Sequence, residues 1–136
     1  MIYYLKLYGV TLAAFFAVDM IWLGLVAKNF YKKYLGYLMA PQVNWIAAII
    51  FYLLFIAGIL VFVVLPGLKE GSLRSMVVRA LLFGLISYAT YDLTNLATVK
   101  NWPLAVTVVD LIWGMVLTTV VSLAGFYAGR WLGPSA

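Results

Sequence analysis

The chain lacks both cysteine and histidine. Without cysteine it has no disulfide and no thiol nucleophile. Without histidine it has no imidazole base, no histidine-ligated haem and no ordinary zinc site. Charge is scarce as well, since charged residues are 10% of the 136 residues and hydrophobic residues 67%. Soluble domains carry about a quarter charged residues, so this composition is typical of a membrane protein.

The basic residues do not indicate a nucleic-acid partner, although the net charge is +5. They lie at the ends of apolar segments, where lysine and arginine face lipid headgroups. Near the N-terminus, the apolar run after Lys6 imitates a signal peptide, but Asp19 interrupts it and the apolar character resumes up to Val26. No small-residue cleavage signal follows, so we expect a retained first membrane helix.

Four apolar segments are each long enough, at about 20 residues, to cross a hydrocarbon core of about 30 Å. They cover about 7–26, 43–65, 77–97 and 104–126. The short connections 66–74 and 100–103 contain proline, glycine or both, which predicts helix-breaking turns and antiparallel neighbours. We therefore predict an all-α polytopic membrane protein, a four-helix transmembrane bundle forming one domain over residues 1–136.

The first connection, 27–42, is rich in lysine and tyrosine. This composition predicts a short helix lying in the membrane interface between helices 1 and 2, with its aromatic rings at headgroup level. Contact with anionic lipid and a plain solvated connector both stay open for it. The residues concerned are Lys28, Tyr31, Lys32, Lys33, Tyr34 and Tyr37.

An even number of spans puts both ends of the chain on one side of the membrane. Five basic residues fall on that side and four on the other, which favours cytoplasmic ends by the positive-inside rule. The first group is Lys6, Lys69, Arg74, Arg79 and Arg130, and the second is Lys28, Lys32, Lys33 and Lys100.

A polar stretch inside the third span, Tyr88–Lys100, points to a site. At helical spacing Tyr88, Asp92 and Asn95 share a face, and a second group lies beside it: Tyr91, Thr94 and Thr98. An unpaired carboxylate or amide in lipid costs several kcal/mol. This face is therefore expected to look into protein or trapped water.

Three of the four acidic residues lie inside predicted spans, on three different helices: Asp19, Asp92 and Asp110. Counted from the nearer span end at about 1.5 Å per residue, all three lie roughly 8–10 Å below the same membrane face. The second span can add Tyr52 from slightly deeper or Asn44 from the rim. Trp22 and Trp113 each follow an aspartate by three residues, where their indole N–H groups can donate to the carboxylates.

Three close carboxylates in a low-dielectric pocket require a shared proton or a cation. If a metal is held by Asp19, Asp92 and Asp110, their oxygen ligands favour Na⁺, Mg²⁺ or Ca²⁺. No other cofactor is expected. The alternative is a hydrogen-bonded polar network that fixes helix register. Interhelical polar bonds average only about 0.6 kcal/mol in membranes, which is weak justification for three aspartates.

Several strings of this sequence resemble a widespread family of small four-helix prokaryotic membrane proteins, described as a predicted membrane protein, domain of unknown function 2177. The resemblance covers nearly the whole chain and implies four helices in a prokaryotic cell (inner) membrane. It supplies no activity. The strings are Val18–Gly24, Phe30-Tyr31, Ala47-Ala48, Phe51-Tyr52, Tyr88–Thr98, Trp102-Pro103 and Val109–Gly114.

The polar layer predicts a buried carboxylate and amide pocket near one membrane face, binding a small cation, a proton or a polar lipid headgroup. The role would be transporter-like or accessory. The alternatives are a lipid-modifying membrane enzyme, its non-catalytic partner, or a scaffold for other proteins; no catalytic residue is assigned. Membrane lipids are the expected partners, and transport would need a homodimer because four helices make a thin pore wall.

Overall fold

Residues 1–133, the part of the chain that the computed structural model describes, fold into four long helices and one short helix joined by short connections. Each long helix has the length and hydropathy to cross a membrane. The predicted all-α four-helix membrane bundle is thereby confirmed. The long helices are α1 Ile2–Val26, α3 Trp45–Glu70, α4 Leu73–Thr98 and α5 Leu104–Leu132, and the short helix is α2 Lys28–Leu35.

The turn between α3 and α4 is much shorter than the predicted connection 66–74. Helix α3 continues through Pro66 to Glu70 because a wider π turn at Leu60–Val64 precedes the proline and accommodates its missing N–H. The chain then reverses at Gly71, whose φ of 64° lies in the left-handed region that glycine tolerates. Ser72 caps α4 by accepting a hydrogen bond from the backbone N–H of Ser75 at 3.1 Å.

Helix α5 is the centre of the bundle and packs against both α4 and α1. Its inner face is buried along nearly its whole length, from Val106 to Gly129. Helices α4 and α5 approach closely at Gly84 and Gly114, where a Cβ on Gly84 would overlap the Gly114 carbonyl. This close approach fixes the rotation of α4 against α5 and, with it, the direction of Tyr88 and Asp92.

Hydrogen bonds tie the helices together at both ends of the bundle. At one end the hydroxyl of Tyr3 donates to the Gly129 carbonyl at 3.0 Å. At the other, the hydroxyl of Tyr37 donates to the Asn101 carbonyl at 2.9 Å and joins the first connection to the third. Those two connections therefore share one end of the bundle, as the four-span topology requires.

Candidate functional site

A cavity of about 490 Å³ lies inside the bundle at the end closed by α2. Its size is that of a small-molecule site, about 300–1,000 Å³, and far exceeds that of one metal ion. All five helices contribute, and no lysine or arginine is among the lining residues. The lining consists of Asp19, Trp22, Leu23, Tyr31, Ala48, Phe51, Tyr52, Ser87, Tyr88, Tyr91, Asp110 and Trp113.

A chain of hydrogen bonds forms one wall of the cavity. The phenol of Tyr31 donates to Asp110 Oδ1 at 2.5 Å. The indole Nε1–H of Trp22 donates in turn to the Tyr31 oxygen at 3.2 Å. Trp22 thus reaches a carboxylate only through Tyr31, in contrast to the direct indole–carboxylate bond expected from its spacing after Asp19. The chain links α1, α2 and α5.

Tyr31 acts as a neutral donor in this chain. Burial raises the pKa of its phenol above the ordinary value, and the hydrogen bond to Asp110 raises it further. The phenol therefore keeps its proton at physiological pH. It offers one O–H to the carboxylate, and its oxygen accepts from the Trp22 indole.

The two tryptophans predicted to serve the carboxylates stack on one another. The rings of Trp22 and Trp113 are 4.2 Å apart at their centroids and only 9° from parallel. The pair joins α1 to α5 beside Asp110. With Tyr31, Phe51, Tyr52, Tyr88 and Tyr91 it makes seven of the twelve lining residues aromatic.

Asp19 approaches the cavity from α1, apart from the other two aspartates. Its side chain is 7% exposed, and within residues 1–133 it has no hydrogen-bond partner. Tyr52 of α3 and Tyr88 of α4 flank it. A carboxylate buried to this degree without a partner is costly, so this wall of the cavity is suited to a donor or a cation.

Asp92 lies next to Asp110 but behind the cavity wall. It is fully buried, and both of its carboxyl oxygens lack a hydrogen-bond partner in the described part of the chain. The backbone of Asp92 does have a side-chain partner, because the Thr107 hydroxyl donates a hydrogen bond to the Asp92 backbone carbonyl at 3.4 Å. The same hydroxyl accepts a hydrogen bond from the Trp102 indole at 3.1 Å. Asp92 therefore adds a second carboxyl group behind Asp110 without lining the cavity.

The local packing of α4 and α5 sets the direction of Tyr88. A Cβ on Gly114 would overlap the Tyr88 ring, so the glycine provides the space in which this ring lies flat against α5. The ring also packs edge-on against Phe55 of α3 at 6.3 Å. Tyr88 is thus packed between Gly114 of α5 and Phe55 of α3, and it lines the cavity.

The structure distributes the ten predicted site residues unevenly. Seven line the cavity: Asp19, Trp22, Tyr52, Tyr88, Tyr91, Asp110 and Trp113. Asp92 lies directly behind them, whereas Asn95 is half-buried and outside the lining. Thr94 is exposed, and its hydroxyl donates to the carbonyls of Thr90 and Tyr91 in its own helix. That hydroxyl is therefore satisfied without facing the site.

The three aspartates do not form one metal centre in the described residues. No group of three side chains from histidine, cysteine, aspartate and glutamate is placed to hold an ion among residues 1–133. Asp92 and Asp110 are neighbours, while Asp19 lies on another wall. Asp19 and Asp110 therefore lie on two walls of one cavity, and Asp92 lies behind the second of these walls.

Sequence reasoning missed Tyr31 as a site residue and predicted it to be an aromatic anchor at the interface. Leu23, Ala48, Phe51 and Ser87 were also outside the predicted site. A signal for several of them was present, because Leu23, Phe30-Tyr31, Ala48 and Phe51 belong to the strings that carry the family resemblance.

The comparisons with known proteins place the chain in a family but supply no activity. The searches of curated proteins and of solved structures each return no match. A family model described as "Predicted membrane protein (DUF2177)" matches residues 4–127. That range contains every residue lining the cavity. Because the match covers most of the sequence, the chain belongs to this family of predicted membrane proteins.

Proposed function

We propose that this membrane protein binds a cation or a polar, positively charged headgroup in the cavity, in a transporter-like or accessory role. One observation carries the proposal. Two buried carboxylates from different helices, Asp19 and Asp110, face a single cavity that has no basic side chain in its lining. A positively charged ligand provides the missing counter-charge.

Electrostatics and ring chemistry support a cation of organic type. Burying carboxylates without compensation costs several kcal/mol each, and Asp92 adds a further carboxyl behind Asp110. A cation between Asp19 and Asp110 offsets this cost. The aromatic rings of the lining favour an ammonium group through cation–π attraction, and the cavity volume leaves room for its substituents.

The setting we propose is a prokaryotic cell membrane with both ends of the chain in the cytoplasm. The excess of lysine and arginine at the end of the bundle that holds the α3–α4 turn supports this orientation. The cavity then opens near the outer face. Membrane lipids surround the bundle, and we propose a second copy of the chain as the partner for any transport.

Thermal unfolding of the purified protein across a panel of cations tests the proposal. The panel includes Na⁺, Mg²⁺, Ca²⁺ and tetramethylammonium, each with chloride. Wild type is compared with Asp19→Asn and Asp110→Asn. Glu70→Gln is the matched control, because Glu70 is an exposed carboxylate paired with Arg79 at the other end of the bundle.

We expect tetramethylammonium to raise the Tm of wild type and of Glu70→Gln. Both aspartate variants should fold and lose that response, since each removes one of the two facing charges. Equal responses in all four proteins would mean that the cation acts elsewhere and would overturn the proposal. Lipid modification that depends on Asp110, with no cation response, would favour the enzyme alternative.

A further inference from the structure

We infer that the ligand is a membrane amphiphile with a cationic amino headgroup, which enters the cavity sideways between α3 and α4. Its headgroup lies towards Asp19 and Asp110, and its chain leads back into the lipid. The inference rests on the proposed function and adds the class of ligand and its route.

Helices α3 and α4 pack tightly against each other through aromatic rings in the middle of the bundle. The ring of Phe83 stacks on Phe55 with centroids 5.6 Å apart and on Phe62 with centroids 5.9 Å apart. Gly58 also lies against Phe83, since a Cβ there would come within 2.8 Å of the ring. Below the cavity, therefore, aromatic stacking seals the α3–α4 seam.

One to two turns nearer α2, side chains of the same two helices line the cavity, and this is where the ligand would enter. There the walls are formed by Ala48 and Phe51 from α3 and by Ser87 and Tyr91 from α4. Phe51 is 47% exposed and Tyr91 is 54% exposed. Two small side chains thus lie between two half-exposed rings, on two helices of membrane-spanning length.

The other sides of the cavity are occupied by side-chain contacts. Between α1 and α3, the rings of Phe15 and Phe16 each pack 5.4 Å from Tyr52. Between α1 and α5, the Trp22–Trp113 stack fills the seam. The α2 side is held by the hydrogen bond of Tyr31 to Asp110. Among the described residues, by contrast, no ring stack or hydrogen bond crosses between α3 and α4 nearer α2 than the Phe55–Tyr88 contact, which leaves this part of the seam open to a bulky ligand.

Polarity changes across the cavity in the direction an amphiphile requires. The inner end holds the carboxylates of Asp19 and Asp110, which are 7% and 6% exposed. The outer end, at the α3–α4 seam, is lined by Ala48, Phe51, Ser87 and Tyr91, whose side-chain surface is apolar apart from two hydroxyl groups. Asp19 is an unpartnered carboxylate aimed into the cavity, so the inner end suits a cationic head. The outer end suits methylene groups, whose transfer out of water is favourable.

Three probes test the headgroup and the chain of the ligand separately. Each is added to the protein in micelles of an uncharged maltoside detergent. Hexadecyltrimethylammonium carries head and chain, tetramethylammonium carries the head alone, and hexadecanol carries the chain alone. The readout is the Tm as a function of probe concentration. The variants are Asp110→Asn, with Glu70→Gln as control, and Ala48→Trp, with the exposed α1 variant Ala13→Trp as control. Ala48→Leu replaces Ala48→Trp if tryptophan prevents folding.

We expect hexadecyltrimethylammonium to stabilise wild type at total concentrations about ten-fold or more below tetramethylammonium. Its chain leaves water for the micelle and so concentrates the headgroup beside the seam, and about two methylene groups already supply that factor. Hexadecanol should have no effect. Asp110→Asn should abolish the response, and Ala48→Trp should remove the advantage of the long chain while Ala13→Trp keeps it.

Each contrary result would refute a different claim. If the two ammonium probes act at equal concentrations, the ligand is a free cation and only the amphiphile inference fails. If Ala48→Trp keeps the full advantage, entry between α3 and α4 is excluded. If neither probe acts, or Asp110→Asn responds like wild type, the proposed function fails together with the inference.

Discussion

The phenol of Tyr31 donates a hydrogen bond to Asp110 across 79 positions of the sequence and joins the short helix α2 to the last membrane span. This bond makes α2 part of the cavity wall. It also connects Asp110 to Trp22, so that three helices meet in one chain of hydrogen bonds. The end of the cavity nearest α2 therefore depends on a residue outside the spans.

Tyr31→Phe is expected to lower the free energy of unfolding by about 1–3 kcal/mol, because it leaves a buried carboxylate and the Trp22 indole without a partner. Chemical unfolding in mild detergent measures this loss. Tyr34→Phe on the same helix is the matched control, since the Tyr34 hydroxyl forms no hydrogen bond within residues 1–133. Equal stability of the two variants would contradict a structural role for the Tyr31 bond.

Asp92→Asn is expected to raise stability by on the order of 1 kcal/mol, because the amide removes one of two neighbouring buried carboxyls and supplies a donor that faces Asp110. The Tm without added cation measures this change. Asp19→Asn, which has no carboxyl neighbour, should give no such rise. A clear fall in the Tm of Asp92→Asn would show that the carboxyl itself supports the fold.

Gly84→Ala is expected to destabilise the bundle by about 1–3 kcal/mol, since its Cβ would meet the Gly114 backbone, which cannot move aside as a flexible side chain would. Gly9→Ala is the control, because the space around Gly9 is open. That substitution should be neutral or mildly stabilising in a helix. Similar Tm values for the two variants would mean that α4 and α5 are not held at this contact.

The absence of cysteine makes the orientation testable with single introduced cysteines. We expect a membrane-impermeant maleimide added to intact cells to label Lys33→Cys on the outer side and to leave Lys69→Cys unlabelled until the cells are lysed. Both positions are exposed on the protein, so access from the medium decides the result. The opposite pattern would reverse the proposed orientation.

Hydropathy was sufficient to predict the number and order of the spans but not their ends. Helix α3 runs to Glu70 because a π turn absorbs Pro66, and Gly67 packs against Met76 of α4. A proline–glycine pair in the sequence indicates a break, and only the packing partner shows that the helix continues. The polar segment 66–70 thus extends a span that hydropathy ends earlier.

The candidate site could be predicted only in part, because the sequence does not show how α4 is rotated against α5. Helical spacing places Tyr88 and Asp92 on an inward face, but whether a residue reaches the cavity depends on the rotation of α4, which the Gly84–Gly114 contact sets. Asp92 consequently lies behind Asp110. Tyr31 could not be assigned from local pattern, because its partner is distant in sequence and the segment around it resembles an ordinary interfacial helix.

Equilibrium dialysis with radiolabelled tetramethylammonium tests the central claim most directly, because it measures ligand binding and not stability. The account predicts saturable binding of one cation per chain by wild type and by Glu70→Gln. It predicts that Asp110→Asn binds at least about ten-fold more weakly, since one of the two facing charges is lost. The same affinity in all three proteins, or no saturable binding by wild type, would contradict a cation site in this cavity.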